Sequence, residues 1–178
     1  MNHSQFPIEV RPRSRLAVEK KLGALAILGV SLLLGSTTAS GLCVLCSCTI
    51  TSTPISFGNY DPLSPIALTS TGTLGFSCNL GVSLGGINFT IALNTGSSGA
   101  FAARTMKNGG NTLSYNLYTA ASDTTVWGDG TAGTSTVTGT YPSTGAPPVN
   151  TTVYGLIPAQ QNVLSGSYSD SITATVTF

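Results

Sequence analysis

Apolar and polar residues alternate through short stretches of this chain, and beyond its first forty residues they never recur at helical spacing. The last stretch alternates most cleanly. From Asp170 onward, Ile172, Ala174, Val176 and Phe178 fall on one side and Ser171, Thr173, Thr175 and Thr177 on the other. A period of two gives each set its own face of a strand, one packed and one wet. β-branched residues dominate the stretch and it holds no Gly or Pro, so it predicts a strand. Phe178, the last residue of the sequence, is still in phase, so the strand is expected to reach the chain's end with nothing beyond it to pair its far edge. An unpaired apolar edge is an aggregation hazard or a docking site.

Similar stretches recur at intervals near ten residues. Thr71–Cys78 aligns Leu74, Phe76 and Cys78, and Asn88–Leu93 aligns Phe89, Ile91 and Leu93. Leu113–Tyr118 alternates in the same way, Thr134–Thr140 reads as a hydroxyl-rich strand, and Thr152–Ile157 precedes the last one. Between them lie turn signals: Gly58-Asn59 ahead of Asp61-Pro62, Asn94–Gly99, the hairpin sequence Asn108-Gly-Gly-Asn111, Trp127–Gly130 and the Pro-rich Thr144–Val149. Many short strands punctuated by Gly, Pro and Asn predict an all-β sandwich. No fixed repeat supports a solenoid.

The N-terminus reads differently. Arg11, Arg13, Arg15, Lys20 and Lys21 precede an apolar run from Leu22 to Leu34, about thirteen residues where a membrane span needs about twenty. Small residues follow, and Thr37-x-Ala39 fits a small-x-small cleavage rule. Residues 1–39 are thus expected to be a secretory signal peptide, followed by a short extension over 40–47 and one domain over 48–178, with no membrane span after cleavage. Without the leader, Arg104 and Lys107 stand against Asp61, Asp123, Asp129 and Asp170, a net charge of −2. So few cations cannot neutralise a run of phosphates, which excludes nucleic acid as a designed partner.

An exported chain with four cysteines reads first as disulfide-bonded. Cys48 opens one β-pattern and Cys78 closes another, so these two are expected to staple neighbouring strands. Closing a loop of about thirty residues contributes roughly 3–4 kcal/mol. Cys43 and Cys46 are left to pair with each other or with another chain. Cys-x-x-Cys-x-Cys as a metal or redox site lacks a His or a fourth nearby thiol.

Catalytic chemistry is scarce. The only histidine, His3, leaves with the leader, and no Glu remains after it. The four Asp residues sit among turn formers, and no Ser or Cys has a base beside it. The chain is therefore expected not to be an enzyme and to need no cofactor or metal; Asp123 and Asp129 do not match a Ca²⁺-loop spacing. Trp127, with Tyr118 and Tyr141, is the candidate surface contact, a face on which a sugar ring would stack. Aromatics beside turns also serve as core plugs.

In order along the chain, Phe57-Gly-Asn-Tyr-Asp-Pro62, the Cys48/Cys78 pair, Ala103-Arg-Thr-Met106, Leu113–Tyr118, Trp127-Gly-Asp-Gly130, Tyr154-Gly-Leu-Ile-Pro158 and Gly166-Ser-Tyr-Ser-Asp170 with its terminal strand resemble the spore coat protein U domain, a module shared with archaic (Csu-type) chaperone–usher pilus subunits. The resemblance spans Cys48 to Phe178. It implies an incomplete immunoglobulin-like, Greek-key β-sandwich that lacks its final strand, the gap being filled by a donor strand from a partner. The implied partners are a periplasmic chaperone, an outer-membrane usher and other pilus or coat subunits. The implied route runs through the periplasm to a surface fibre or coat serving adhesion and biofilm formation, with Ile172, Ala174, Val176 and Phe178 at the accepting edge.

One departure stands out. Polymerising subunits of this family carry an N-terminal donor segment, whereas Ser40–Ser47 spans less than about 29 Å fully extended. That favours a terminal subunit or a coat component that receives a strand without giving one. The competing expectation is a glycan- or surface-binding tip adhesin.

Overall fold

The computed structural model describes residues 47–80 and 86–178, together with the backbone of two short N-terminal strands at 4–5 and 8–12. The strands are β1 (Ser4–Gln5), β2 (Ile8–Pro12), β3 (Ser47–Thr53), β4 (Ser56–Gly58), β5 (Leu68–Asn79), β6 (Ile87–Leu93), β7 (Arg104–Asn108), β8 (Asn111–Tyr118), β9 (Val137–Tyr141), β10 (Val149–Ile157) and β11 (Ile172–Thr177). A single turn of 3₁₀-helix, Gly96–Ser98, follows β6, and no α-helix occurs among the described residues. Apart from β1 and β2, the leader and Cys43 and Cys46 lie outside the described residues.

The strands form two main sheets and a small two-stranded one in which β1 pairs antiparallel with β4. Of the main sheets, one has the order β3-β5-β10-β8-β7 and is antiparallel throughout; the other has the order β2-β11-β6-β9. The chain passes repeatedly between them, as in an immunoglobulin-like sandwich. Their inner faces meet at Phe76 of β5, whose ring centroid lies 4.6 Å from that of Phe89 on β6 and 6.0 Å from that of Tyr141 on β9. Leu74, Phe76, Ile91, Leu93, Leu113, Leu117 and Val153 are buried with them. The period-two pattern is the reason: the strands of the core turn their apolar sets inward and most of their Thr and Ser outward.

Cys48 lies directly opposite Cys78 across β3 and β5, and the two are disulfide-bonded. The bond ties β3, an edge strand, to the long central β5. The Asn108–Asn111 turn closes the β7–β8 hairpin, with Gly109 at φ 59°. That left-handed backbone favours glycine.

Candidate functional site

β11 carries the candidate site. Its side chains and its backbone groups do separate work. Ile172, Ala174 and Val176 are buried in the core, and Phe178 is half-buried with its ring centroid 6.0 Å from that of Phe76. The backbone of Thr173 binds inward, its C=O accepting from Asn94 N at 3.0 Å and its N–H donating to Asn94 Oδ1 at 2.9 Å. Backbone groups alternate sides along a strand, so Thr173 and Thr175 face β6, while Ile172, Ala174 and Val176 turn their N–H and C=O to the outer edge.

That outer edge is paired. β2 runs parallel to β11 in the register Ile172↔Ile8, Ala174↔Val10 and Val176↔Pro12. β2 also lies against β3, so it fills the seam between the edges of the two sheets. From the domain itself, Cys48 and Ile50 of β3 border this seam, each half-buried. All the other pairings of β11 and of its sheet are antiparallel.

The start of β11 is fixed by a buried polar cluster. Asp170 Oδ2 accepts from the Tyr115 hydroxyl at 2.7 Å, and Oδ1 accepts from the backbone N–H of Ser97 at 2.9 Å and of Ser171 at 2.8 Å. Gly96 lets the helical turn come this close, since a Cβ there would sit 2.2 Å from Asp170 Oδ2. Just before Asp170, Ser169 exchanges two backbone hydrogen bonds with Lys107 of β7. Burial pushes the Tyr115 phenol pKa far up, and the charge and hydrogen bond of Asp170 add to the shift. Tyr115 therefore stays a neutral donor.

Arg104 completes the cluster. Its side chain is wholly buried. Nη1 donates to Asn116 Oδ1 at 2.8 Å, while Nη2 donates to the carbonyls of Asn94 and Trp127, both at 2.7 Å. Its guanidinium carbon lies 5.3 Å from the Phe101 ring centre, a cation–π distance. Burial pulls its pKa down, and the neighbouring Tyr115 and Asp170 pull it back up. Among the described residues no buried side-chain nitrogen or oxygen lacks a partner, as a polar group in a low-dielectric core requires.

Two sequence expectations need correcting. Trp127 is not a surface contact: it is fully buried, with Nε1 donating to the Ile91 carbonyl at 3.0 Å. Its large ring gains more from burial than from exposure on a turn once its one donor finds a carbonyl. Tyr141, also proposed for a stacking face, is buried too, its hydroxyl donating to Ala146 O. Second, Asp170 is not a turn-forming carboxylate like Asp61, which accepts from Leu63 N, or Asp129, which accepts from Thr131 N. Asp170 shares the phase of Ile172 and Ala174, and that phase was the available signal for its burial. Arg104 likewise shares a face with the buried Met106 two residues on.

Among the described residues, no three His, Cys, Asp or Glu side chains come together as a metal site would require. Nor is any helix there long and apolar enough to cross a membrane. The described residues form a disulfide-stapled β-sandwich whose strand β11 pairs along its outer edge with the extended segment Ile8–Pro12.

The chain belongs to the Spore Coat Protein U domain family, whose model matches residues 34–175. It is 37% identical over 136 residues to Protein U of Myxococcus xanthus, an alignment covering 70% of this chain and 71% of that protein. Among solved structures it is similar to a chain of the chaperone–tip adhesion subunit pre-assembly complex from archaic chaperone–usher Csu pili of Acinetobacter baumannii. That match has 21% identity and a TM-score of 0.47, and it covers 76% of this chain but only 40% of that one.

Proposed function

We propose that this domain is an exported structural subunit of a surface fibre or coat, without enzymatic activity, and that it assembles by strand addition at the outer edge of β11. The observation that carries this is the parallel pairing of Ile8–Pro12 with Ile172–Val176. On the leader reading, that segment is lost on export, which leaves the N–H and C=O groups of Ile172, Ala174 and Val176 and the seam beside Cys48 and Ile50 for another strand. Family membership supports a coat role. The occupants that fit are a chaperone strand in the periplasm, exchanged at an outer-membrane usher for a strand of the next subunit. The brevity of Ser40–Ser47 makes this chain a receiver, at a fibre end or in a coat, and adhesion and biofilm formation are what such an assembly would serve.

The test is a titration of the exported form with a synthetic peptide of alternating apolar residues. A peptide held at about 100 times its Kd adds roughly 2.7 kcal/mol, a rise in Tm on the order of 10 °C for a domain of this size. Two proline variants separate the edges. Ala174→Pro removes an N–H aimed at the outer edge and is expected to abolish the gain. Thr175→Pro removes one aimed at β6 and is expected to lower the Tm of the free domain instead. A free domain that is monomeric, stable and indifferent to the peptide would rule out strand acceptance.

A further inference from the structure

The outer face of the five-stranded sheet carries a cleft. Thr71, Tyr154 and Tyr118 are direct cross-strand neighbours on β5, β10 and β8. Their chain neighbours Gly72, Val153 and Leu117 are buried, so by alternation these three side chains project outward. The loop after β8 brings Ala121 and Asp123 beside Thr71 and Tyr154. It is closed by hydrogen bonds from Asp123 N to Ala120 O and from Thr119 N to Thr125 O, both 3.1 Å. Between loop and sheet lies a space of about 310 Å³ lined by Thr69, Thr71, Asp123, Tyr154 and the backbone of Gly155. That volume falls at the small end of the range for ligand clefts, roughly 300–1,000 Å³.

We propose that this cleft binds a neutral sugar ring, with the half-exposed Tyr154 ring as stacking platform and Asp123 and Thr71 as hydrogen-bonding partners. The chemistry selects the ligand class. A tyrosine face suits the C–H face of a pyranose, a carboxylate accepts charge-assisted bonds from its hydroxyls, and threonine hydroxyls both donate and accept. Anionic ligands are disfavoured, because Asp123 lines the cleft while Lys107 and the buried Arg104, the only cations from residue 47 onward, do not. Asp123 also holds a left-handed backbone at φ 51°. Asp and Asn are the non-glycine residues that adopt this conformation most readily in turns. Burial and then the charge of Asp123 raise the Tyr118 pKa. The site is independent of the β11 edge.

The test is saturation-transfer NMR and titration of the full exported chain with neutral methyl pyranosides, with methyl uronides and inorganic phosphate as anionic probes. Saturable binding of at least one neutral pyranoside is expected. Tyr154→Ala is expected to weaken it roughly three- to tenfold, the loss of one stacking contact, while Tyr154→Phe retains it. Asp123→Asn tests the carboxylate without disturbing the fold, since Asn tolerates the same left-handed backbone, and is expected to weaken binding by a similar factor. The proposal is overturned if no neutral pyranoside binds, if only the anionic probes do, or if binding survives both Tyr154→Ala and Asp123→Asn unchanged.

Discussion

Along its inner edge β11 is held by β6 in an antiparallel ladder, and just ahead of it Ser169 and Asp170 are pinned to β7, Tyr115 and the helical turn. Along its outer edge the described residues supply one partner only, Ile8–Pro12 from the far end of the sequence. The inner attachment is polar, buried and fully satisfied; the outer one is a row of backbone groups over a half-covered apolar seam. The difference is one of specification. Several side chains must agree before the inner attachment forms, which fixes where the strand begins and which residues face the core. The outer attachment asks its occupant only for an extended backbone and suitable side chains for the seam.

The largest effect is expected from removing the centre of the polar cluster. Arg104→Ala leaves the carbonyls of Asn94 and Trp127 without their buried side-chain donor and Asn116 Oδ1 with the Leu117 N–H alone, and is expected to cost roughly 3–5 kcal/mol in urea unfolding. It should loosen the start of β11, seen as faster amide exchange at Ser171 and Thr173. Stability and exchange left at wild-type values would show that the cluster does not set the strand.

Breaking the staple beside the seam comes next. Replacing Cys48 and Cys78 together by Ser is expected to cost about 2–5 kcal/mol. β3 borders the seam, so the same change should also weaken capture of an added peptide strand. A loss of stability with peptide affinity unchanged would separate β3 from the accepting site.

Tyr115→Phe takes a hydroxyl from a buried carboxylate and keeps the ring. The expected cost is about 1.5–3 kcal/mol, with peptide capture preserved because the outer edge is untouched. A variant that lost capture but kept its stability would reverse the division of labour between the two edges.

The smallest effect is expected at Asp129, exposed in the turn after Trp127. Hydrogen bonds from the side chain and then the backbone of Thr131 hold its carboxyl below the usual carboxylate range. A depressed folded-state pKa adds stability above the unfolded value, and that stability fades as the pH falls through the folded one. Asp129→Asn should therefore remove a small contribution at neutral pH, leave stability below the folded pKa nearly unchanged and so flatten the acid limb slightly, as thermal melts across that range would report.

Strand character was legible wherever the period of two was clean. The inward residues of β5, β6, β8 and β11 are those that alternation picks out, and the Cys48–Cys78 bond follows from placing each cysteine on a strand. Strand ends were less legible. β5 begins at Leu68 and β10 at Val149, earlier than their patterns suggest, because pairing with each other extends both. The polar cluster was missed because its members come from separate parts of the chain, and a lone Arg or Asp looks like a surface residue until its partners are known. Trp127 was misplaced for a related reason: a turn sequence says nothing about which way its one large side chain folds.

The separation of side chains from backbone along β11 bears on selectivity. On the proposed strand addition, an edge made of amides and carbonyls reads shape rather than letters, so almost any extended chain would satisfy it equally. Discrimination between a right and a wrong occupant is then left to the few half-covered residues beside it, Cys48, Ile50 and Phe178. Drift at Ile50 and Phe178 would re-address such an edge to a new partner without disturbing the fold that presents it, whereas Cys48 is held in place by its bond to Cys78.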